Sequence, residues 1–176
     1  MAEEKKEGWL NLLALTTVIL AVCATLATSK GGGYSTKVVL SQSQASDEWA
    51  HYQAKGIKGN LYEVEAMRLK RELELAPRSA VPLLEKSLAD VEKKVLKYDG
   101  EKAEIQKVAQ GFEKAKADAQ RHGAGFGNAV IFLQIGILLS SIAALLKKKP
   151  VYYLGLLVGV VGLVYFANGF LLFMPA

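Results

Sequence analysis

FGNAVIFLQIGILLSSIAALL (Phe126–Leu146) and VYYLGLLVGVVGLVYFANGFLLFM (Val151–Met174) decide how this chain is read. The first stretch is 21 residues long, the second 24, and neither contains a charge. Between them stand only Lys147, Lys148, Lys149 and Pro150. About 18 consecutive apolar residues suffice for a helix to cross a bilayer. A four-residue loop then forces the second helix back antiparallel to the first. Everything upstream must reach this pair from one side of the membrane.

Working outward, Trp9–Thr28 is a third uncharged stretch, 20 residues long, with an aromatic at one end and Lys30 beyond the other. It reads as a retained spanning helix. Glu3, Glu4 and Glu7 stand where a signal peptide would carry basic residues. Val22 is too large for the residue before a lipidated Cys23. Residues 1–8 read as a short flexible terminus of mixed charge. The remaining polar segment, 29–125, is rich in Lys, Glu, Ala and Gln, which is the composition of solvated helices rather than of a thick core.

Periodicity resolves that segment into two long helices. Val38, Ala45, Trp49 and Tyr52 share one face, as do Tyr62, Ala66, Leu69, Leu73 and Ala76. The phase slips between them at Lys55–Asn60, where two glycines predict a kink. Ala76-Pro77-Arg78-Ser79 is a turn, with Ser79 placed to cap the next helix and Pro82 tolerated in its first turn. Leu84, Leu88, Val91, Val95, Tyr98, Ile105 and Phe112 then follow the heptad spacing of a coiled-coil seam, in phase across Asp99-Gly100. Gly31–Gly33 and Gly123–Gly127 read as hinges at the two feet. Helices over about 35–76 and 80–122 would each be roughly 60–65 Å long, so the outward and return arms match. Equal rise on both arms places Trp49 beside Lys107 or Val108. The expected fold is therefore an all-α membrane protein: spans at 9–28, 126–146 and 151–174, a basic loop at 147–150, and an extramembrane antiparallel hairpin with a seam at Trp49, Tyr52, Leu69 and Leu73 against the heptads of the return arm.

One stripe is left over. Ala50, Ala54, Ile57, Leu61 and Val64 follow helical spacing on a different face from Trp49, so Ile57, Leu61 and Val64 form an expected partner face. The spans carry stripes of small residues: Ala14, Thr17, Ala21 and Ala24; Gly136, Ser140 and Ala143; Gly155, Gly159 and Gly162. In lipid, helices associate by close backbone packing, which small residues permit.

The net charge is +5, from 22 basic and 17 acidic residues. The lysines of the polar segment are interleaved with glutamates, a solvated-face pattern that argues against nucleic acid. Asp47 and His51, one turn apart, are too few ligands for a metal. No nucleophile–base set or phosphate loop is recognisable. The few polar residues of the spans, Gln134, Ser140, Ser141, Asn168 and the threonines of the first, are not ionisable, whereas proton relays normally need charged groups; Gln134 and Asn168 suit interhelical hydrogen bonds. No catalytic residue, cofactor, metal or small-molecule substrate is expected.

The segment Asp47-Glu48-Trp49-Ala50-His51-Tyr52-Gln53-Ala54-Lys55 resembles that of an uncharacterised family of bacterial three-pass membrane proteins, catalogued as a domain of unknown function. The resemblance extends over nearly the whole chain. It implies residence in a bacterial membrane and transfers no functional residue. Members commonly have Ser or Lys where Gly56 stands here.

The expected function is that of a non-enzymatic membrane scaffold or accessory subunit. Its partners would be the lipid bilayer and either further copies of itself or a larger membrane complex. The alternative is a homo-oligomeric pore lined by Thr17, Gln134 and Ser140. The three lysines of the short loop place that loop and the N-terminus in the cytoplasm, and the hairpin outside the inner membrane. Single cysteines at Ser87 and Lys148, on a Cys23→Ala background, test this. An impermeant thiol reagent added to intact cells should label Ser87→Cys and spare Lys148→Cys. The reverse pattern inverts the orientation, and labelling of both removes the three-span topology.

Overall fold

The computed structural model describes residues 2–174, with side chains from Gly8 onward. It consists of α1 (Ala2–Leu75), α2 (Val81–Leu146) and α3 (Lys149–Leu171), with no strand among the described residues. All three helices are long and apolar enough to cross a membrane. Met1, the start of the terminus expected to be flexible, lies outside the described residues, and α1 is helical from Ala2.

The glycine hinges expected at the two feet are absent: α1 runs unbroken through Gly31–Gly33 and α2 through Gly123–Gly127. Helix α1 also continues through Gly56–Asn60 without unwinding, and α2 continues through Asp99-Gly100 as its unbroken heptad phase predicts. The first span and the outward arm are thus one helix, and the return arm and second span are another. A helical glycine costs about 1 kcal/mol relative to alanine. Tertiary packing routinely offsets that amount, and glycines at several of these positions lie against a neighbour. The Cβ of Phe126 lies 3.4 Å from where Gly31 would carry its own, and the Cβ of Tyr34 lies 3.7 Å from that position at Gly123.

The two long helices pass through two compact units, Met1–Val39 with Lys116–Ala176, and Leu40–Ala115. The first unit is a three-helix apolar assembly. Leu20, Ala24 and Ala27 of α1 pack with Phe126, Ala129 and Leu133 of α2, and Leu163, Tyr165 and Phe166 of α3 close over them. A smaller cluster joins Leu13, Ala143 and Tyr152.

The α2–α3 contact is made by glycines at near-backbone distance. A Cβ on Gly125 would stand 2.8 Å from the Cα of Gly169, and one on Gly136 would stand 3.1 Å from the Cα of Gly159. Gly155, Gly159 and Gly162 are buried, as are Gly136, Ser140 and Ala143. The small stripes expected in the second and third spans therefore pack within one chain. The stripe expected in the first span does not: Ala24 is buried and Thr17 half-buried, but Ala14 and Ala21 are exposed. Because α3 supplies the small surface, α1 must supply bulk. Leu20 fills the space over Gly159, with its Cδ1 2.8 Å from the position of a Cβ there.

The loop is tighter than 147–150. Helix α2 ends at Leu146 and α3 starts at Lys149, with Pro150 in its first turn. Lys147 takes the left-handed conformation (φ 51°), and the N–H of Lys148 donates to the carbonyl of Ala143. This is the hydrogen bonding of a Schellman ending, with a lysine where glycine is usual. At the hairpin tip α2 begins at Val81, and the carbonyl of Ala80 accepts from Leu84 N–H, so Ala80 rather than Ser79 holds the cap position.

The glycines divide into those whose replacement meets backbone and those whose replacement meets nothing. A Cβ on Gly32 has no neighbour within 4 Å. Gly32→Ala should therefore raise stability by about 1 kcal/mol through helix propensity. Gly125→Ala should lower it by about 1–3 kcal/mol, since neither helix backbone can yield. Thermal unfolding in mild detergent, followed by circular dichroism, checks the opposite signs.

Candidate partner-binding face

The second unit, Leu40–Ala115, is an antiparallel pair formed by the distal part of α1 and the proximal part of α2. Its seam follows the heptads. Ala45, Ala66, Leu69, Ile105 and Ala109 are buried. Trp49, Tyr52, Leu73, Leu84, Leu88, Val91, Val95, Tyr98 and Phe112 are half-buried, as a two-helix seam allows.

Midway along, the seam changes character. Tyr62 stacks on Tyr98 at 5.5 Å, with Lys94 5.0 Å over Tyr62 and Lys55 5.6 Å from the Tyr98 centroid. Lys102 lies 5.7 Å over Tyr52. Gly59 is buried, and the Cβ of Tyr98 sits 3.6 Å from where its own would be. This accounts for the phase slip at Lys55–Asn60 within an unbroken helix. Where α1 offers glycine, α2 offers a tyrosine whose ring fills the seam. Cation–π contacts of this kind contribute roughly 0.5–1 kcal/mol at exposed sites.

The register agrees with equal rise at Lys55, whose Nζ lies 2.7 Å from Glu101 Oε2. Trp49 departs from it. Its indole N–H donates to Glu113 Oε1 at 2.9 Å, beyond the expected Lys107 or Val108. Helical side chains lean toward their own N-terminus, which on α1 carries a long ring toward later residues of α2. Trp49 also meets Tyr52 edge-on at 5.5 Å, so the pair is a seam element.

Ile57, Leu61 and Val64 are 64%, 65% and 64% exposed, and Ala50 and Ala54 are exposed too. At 100° per residue this stripe lies about 150° around α1 from the seam, so α2 cannot cover it. A second apolar feature was not legible as a stripe. Met67 and Leu96, both exposed, border a cleft of about 370 Å³ whose rim carries Glu63, Lys70 and Glu92. A salt bridge of 2.8 Å between Lys70 and Glu92 crosses it. Leu96 is isolated on α2, and only the pairing of the arms brings it beside Met67 of α1.

The polar residues considered for chemistry are dispersed. Asp47 is exposed, and His51 Nδ1 lies 3.8 Å from Glu48. Gln134 is exposed, Thr17 donates to the carbonyl of Leu13, and Ser140 is buried beside Gly155. These three do not share one face. Asn168 does not bridge helices as expected. Its Oδ1 accepts the Met174 N–H at 2.7 Å, closing the end of α3 beyond the left-handed Leu172. His122, for which residue order gives no partner, donates from Nδ1 to the Gly169 carbonyl at 2.7 Å and stacks on Tyr34 at 4.7 Å. It ties α2 to the end of α3.

A family model described as a domain of unknown function, DUF4337, matches residues 9–172. The chain belongs to the DUF4337 family. The match takes in almost all of α1, all of α2 and all of α3, so the DUF4337 domain comprises both the apolar unit and the hairpin. No curated protein and no solved structure matches the chain. The family expected from the Trp49 segment is thus the right kind of family, a domain of unknown function.

Ion pairs shift several groups along the hairpin. The hydrogen bond from Lys55 holds the Glu101 carboxyl below the usual carboxylate range, and the same bond raises Lys55. Arg68 lowers Glu65 in the same way. A carboxylate with a depressed folded pKa stabilises above its unfolded value and loses that contribution as pH falls through the folded one. The raised Lys55 contributes below its unfolded pKa and loses its contribution only as pH rises through the folded value. Helicity of the full-length protein should therefore weaken as pH falls below about 4, and Glu101→Gln should flatten that acid limb. Circular dichroism melts at several pH values check it; an unchanged acid limb would remove Glu101 from the account.

Proposed function

We propose that this DUF4337 protein is an integral membrane scaffold or accessory subunit without enzymatic activity, which associates with other protein through its helical hairpin. The observation that carries this is the uncovered stripe on α1 in the polar unit. Ile57, Leu61 and Val64 remain about two-thirds exposed after the hairpin arms have paired. Exposed apolar side chains in one contiguous patch on an otherwise charged surface mark association sites.

The three long apolar helices support residence in a bilayer. The family resemblance and the lysines at 147–149 support a bacterial inner membrane with that loop in the cytoplasm and the hairpin outside. The small-residue packing inside the apolar unit supports a stable anchor formed by one chain.

The experiment is the association state of full-length protein in mild detergent, by mass photometry. Wild type should be oligomeric. Leu61→Asp should shift it toward monomer, because a carboxylate cannot be buried unpaired in an apolar contact. Lys97→Asp, at a 69% exposed side chain on α2, should leave it unchanged. An oligomer indifferent to Leu61→Asp would take the hairpin stripe out of the contact.

A further inference from the structure

The stripe on the hairpin is one part of a longer feature of α1. From Val64 back through Leu61, Ile57, Ala54 and Ala50, steps of three and four continue to Asp47, Ser43 and Leu40. The same steps reach Thr36, Gly33 and Ser29, and then Leu26, Val22, Ile19, Leu15 and Leu12. Every one of these positions is exposed. The heptad phase does not break, and α1 is a single helix over the whole stretch. Asp47 is the only charge on it, although Lys and Glu crowd the other exposed faces of the same helix. Apart from Leu40, its middle is small: Ser29, Gly33, Thr36 and Ser43 offer no bulk to hold a facing helix away.

Lipid could cover Leu12 to Leu26. It does not suit Ile57 to Val64, which lie on the same helix in the polar unit among Lys and Glu. One occupant suits both ends: a helix apolar over the same depths and small in the same middle. The α1 helix of a second copy has that pattern by identity. Two copies inserted with one topology run parallel, and the bilayer allows only the in-register alignment that keeps both spans at one depth. The flanks permit it. In a parallel heptad pair Gln53 faces Lys58 of the other copy and Asn60 faces Glu65, so no like charges meet there. An antiparallel pair centred on Ile57 and Leu61 would instead set Lys58 against itself.

We infer that α1 is the dimerisation helix, pairing with α1 of a second copy in parallel and in register along Leu12–Val64, with Asp47 facing Asp47 across the seam. This rests on the scaffold reading above and names its first partner as the protein itself. A strict heptad repeat gives such a pair a left-handed supercoil. The facing carboxylates make the contact weaker than its apolar content allows, so the dimer is adjustable at that point.

The test uses full-length protein in lipid vesicles on a Cys23→Ala background. Ile57→Cys and Leu61→Cys should each form a disulfide to their own copy on mild oxidation, about 5-fold or more above Glu63→Cys, which lies on another face. Asp47→Asn should raise the dimer fraction in dilution experiments. Cross-linking of Ile57→Cys to Val64→Cys in preference to Ile57→Cys, read with two tagged copies, would overturn the parallel register. Stripe cysteines no better than Glu63→Cys, or a monomeric wild type, would overturn the dimerisation helix. An oligomer that Leu61→Asp dissociates but that shows no in-register cross-link would retain the scaffold reading and remove this inference.

Discussion

Helices α2 and α3 approach until backbone meets backbone. At Gly125 and Gly169, and again at Gly136 and Gly159, no side chain separates them. The arrangement of the apolar unit follows from this contact. Because α3 presents glycines, Leu20 of α1 and Phe126 and Leu133 of α2 can lie over it, and each occupies space that a Cβ on Gly159, Gly169 or Gly162 would need. These helices are apolar enough to cross a bilayer, and contact of this closeness is the kind by which helices associate in lipid. The end of α3 is then closed by polar groups. His122 takes the Gly169 carbonyl, and Asn168 takes the Met174 N–H, so the last turn does not leave these groups unsatisfied in apolar surroundings.

The same two long helices are held together differently in the polar unit. There the seam is alanine and leucine at its ends and tyrosine, lysine and glutamate at its centre. Water makes apolar burial effective and lets lysine heads lie over tyrosine faces while remaining solvated. With only two arms, each helix can bury one face. The other side of α1 is then not covered by the pair, and Ile57, Leu61 and Val64 remain exposed there.

Much of this was legible from residue order alone. Twenty uncharged residues in a row, repeated three times, specify helices long enough for a bilayer, because backbone polar groups must be satisfied internally there. Heptads from Leu84 to Phe112 specify a helix with one partner, and Pro77 with Arg78 marks where the arms reverse. The leftover stripe at Ile57, Leu61 and Val64 was also visible, since periodicity counts faces and a two-arm hairpin has room for one. The family resemblance added a class of protein without a chemistry.

The tertiary structure decided what local propensity could not. Glycine runs at Gly31–Gly33 and Gly123–Gly127 read as hinges because glycine weakens an isolated helix. They are helical because helices packed on both sides of the run determine its conformation, and a cost of about 1 kcal/mol per glycine is small beside that. Lys55–Asn60 reads as an interruption of the seam because its own residues lose the apolar phase, whereas the missing bulk arrives from Tyr98 on the other arm. Ala14 and Ala21 read as packing residues by being small, yet they face outward, since small surfaces need large neighbours and α3 had already taken the small role. In each case sequence specified the element and its periodicity, which are properties of one helix. Which face is covered, and by what, depends on complementary bulk supplied from residues distant in the chain.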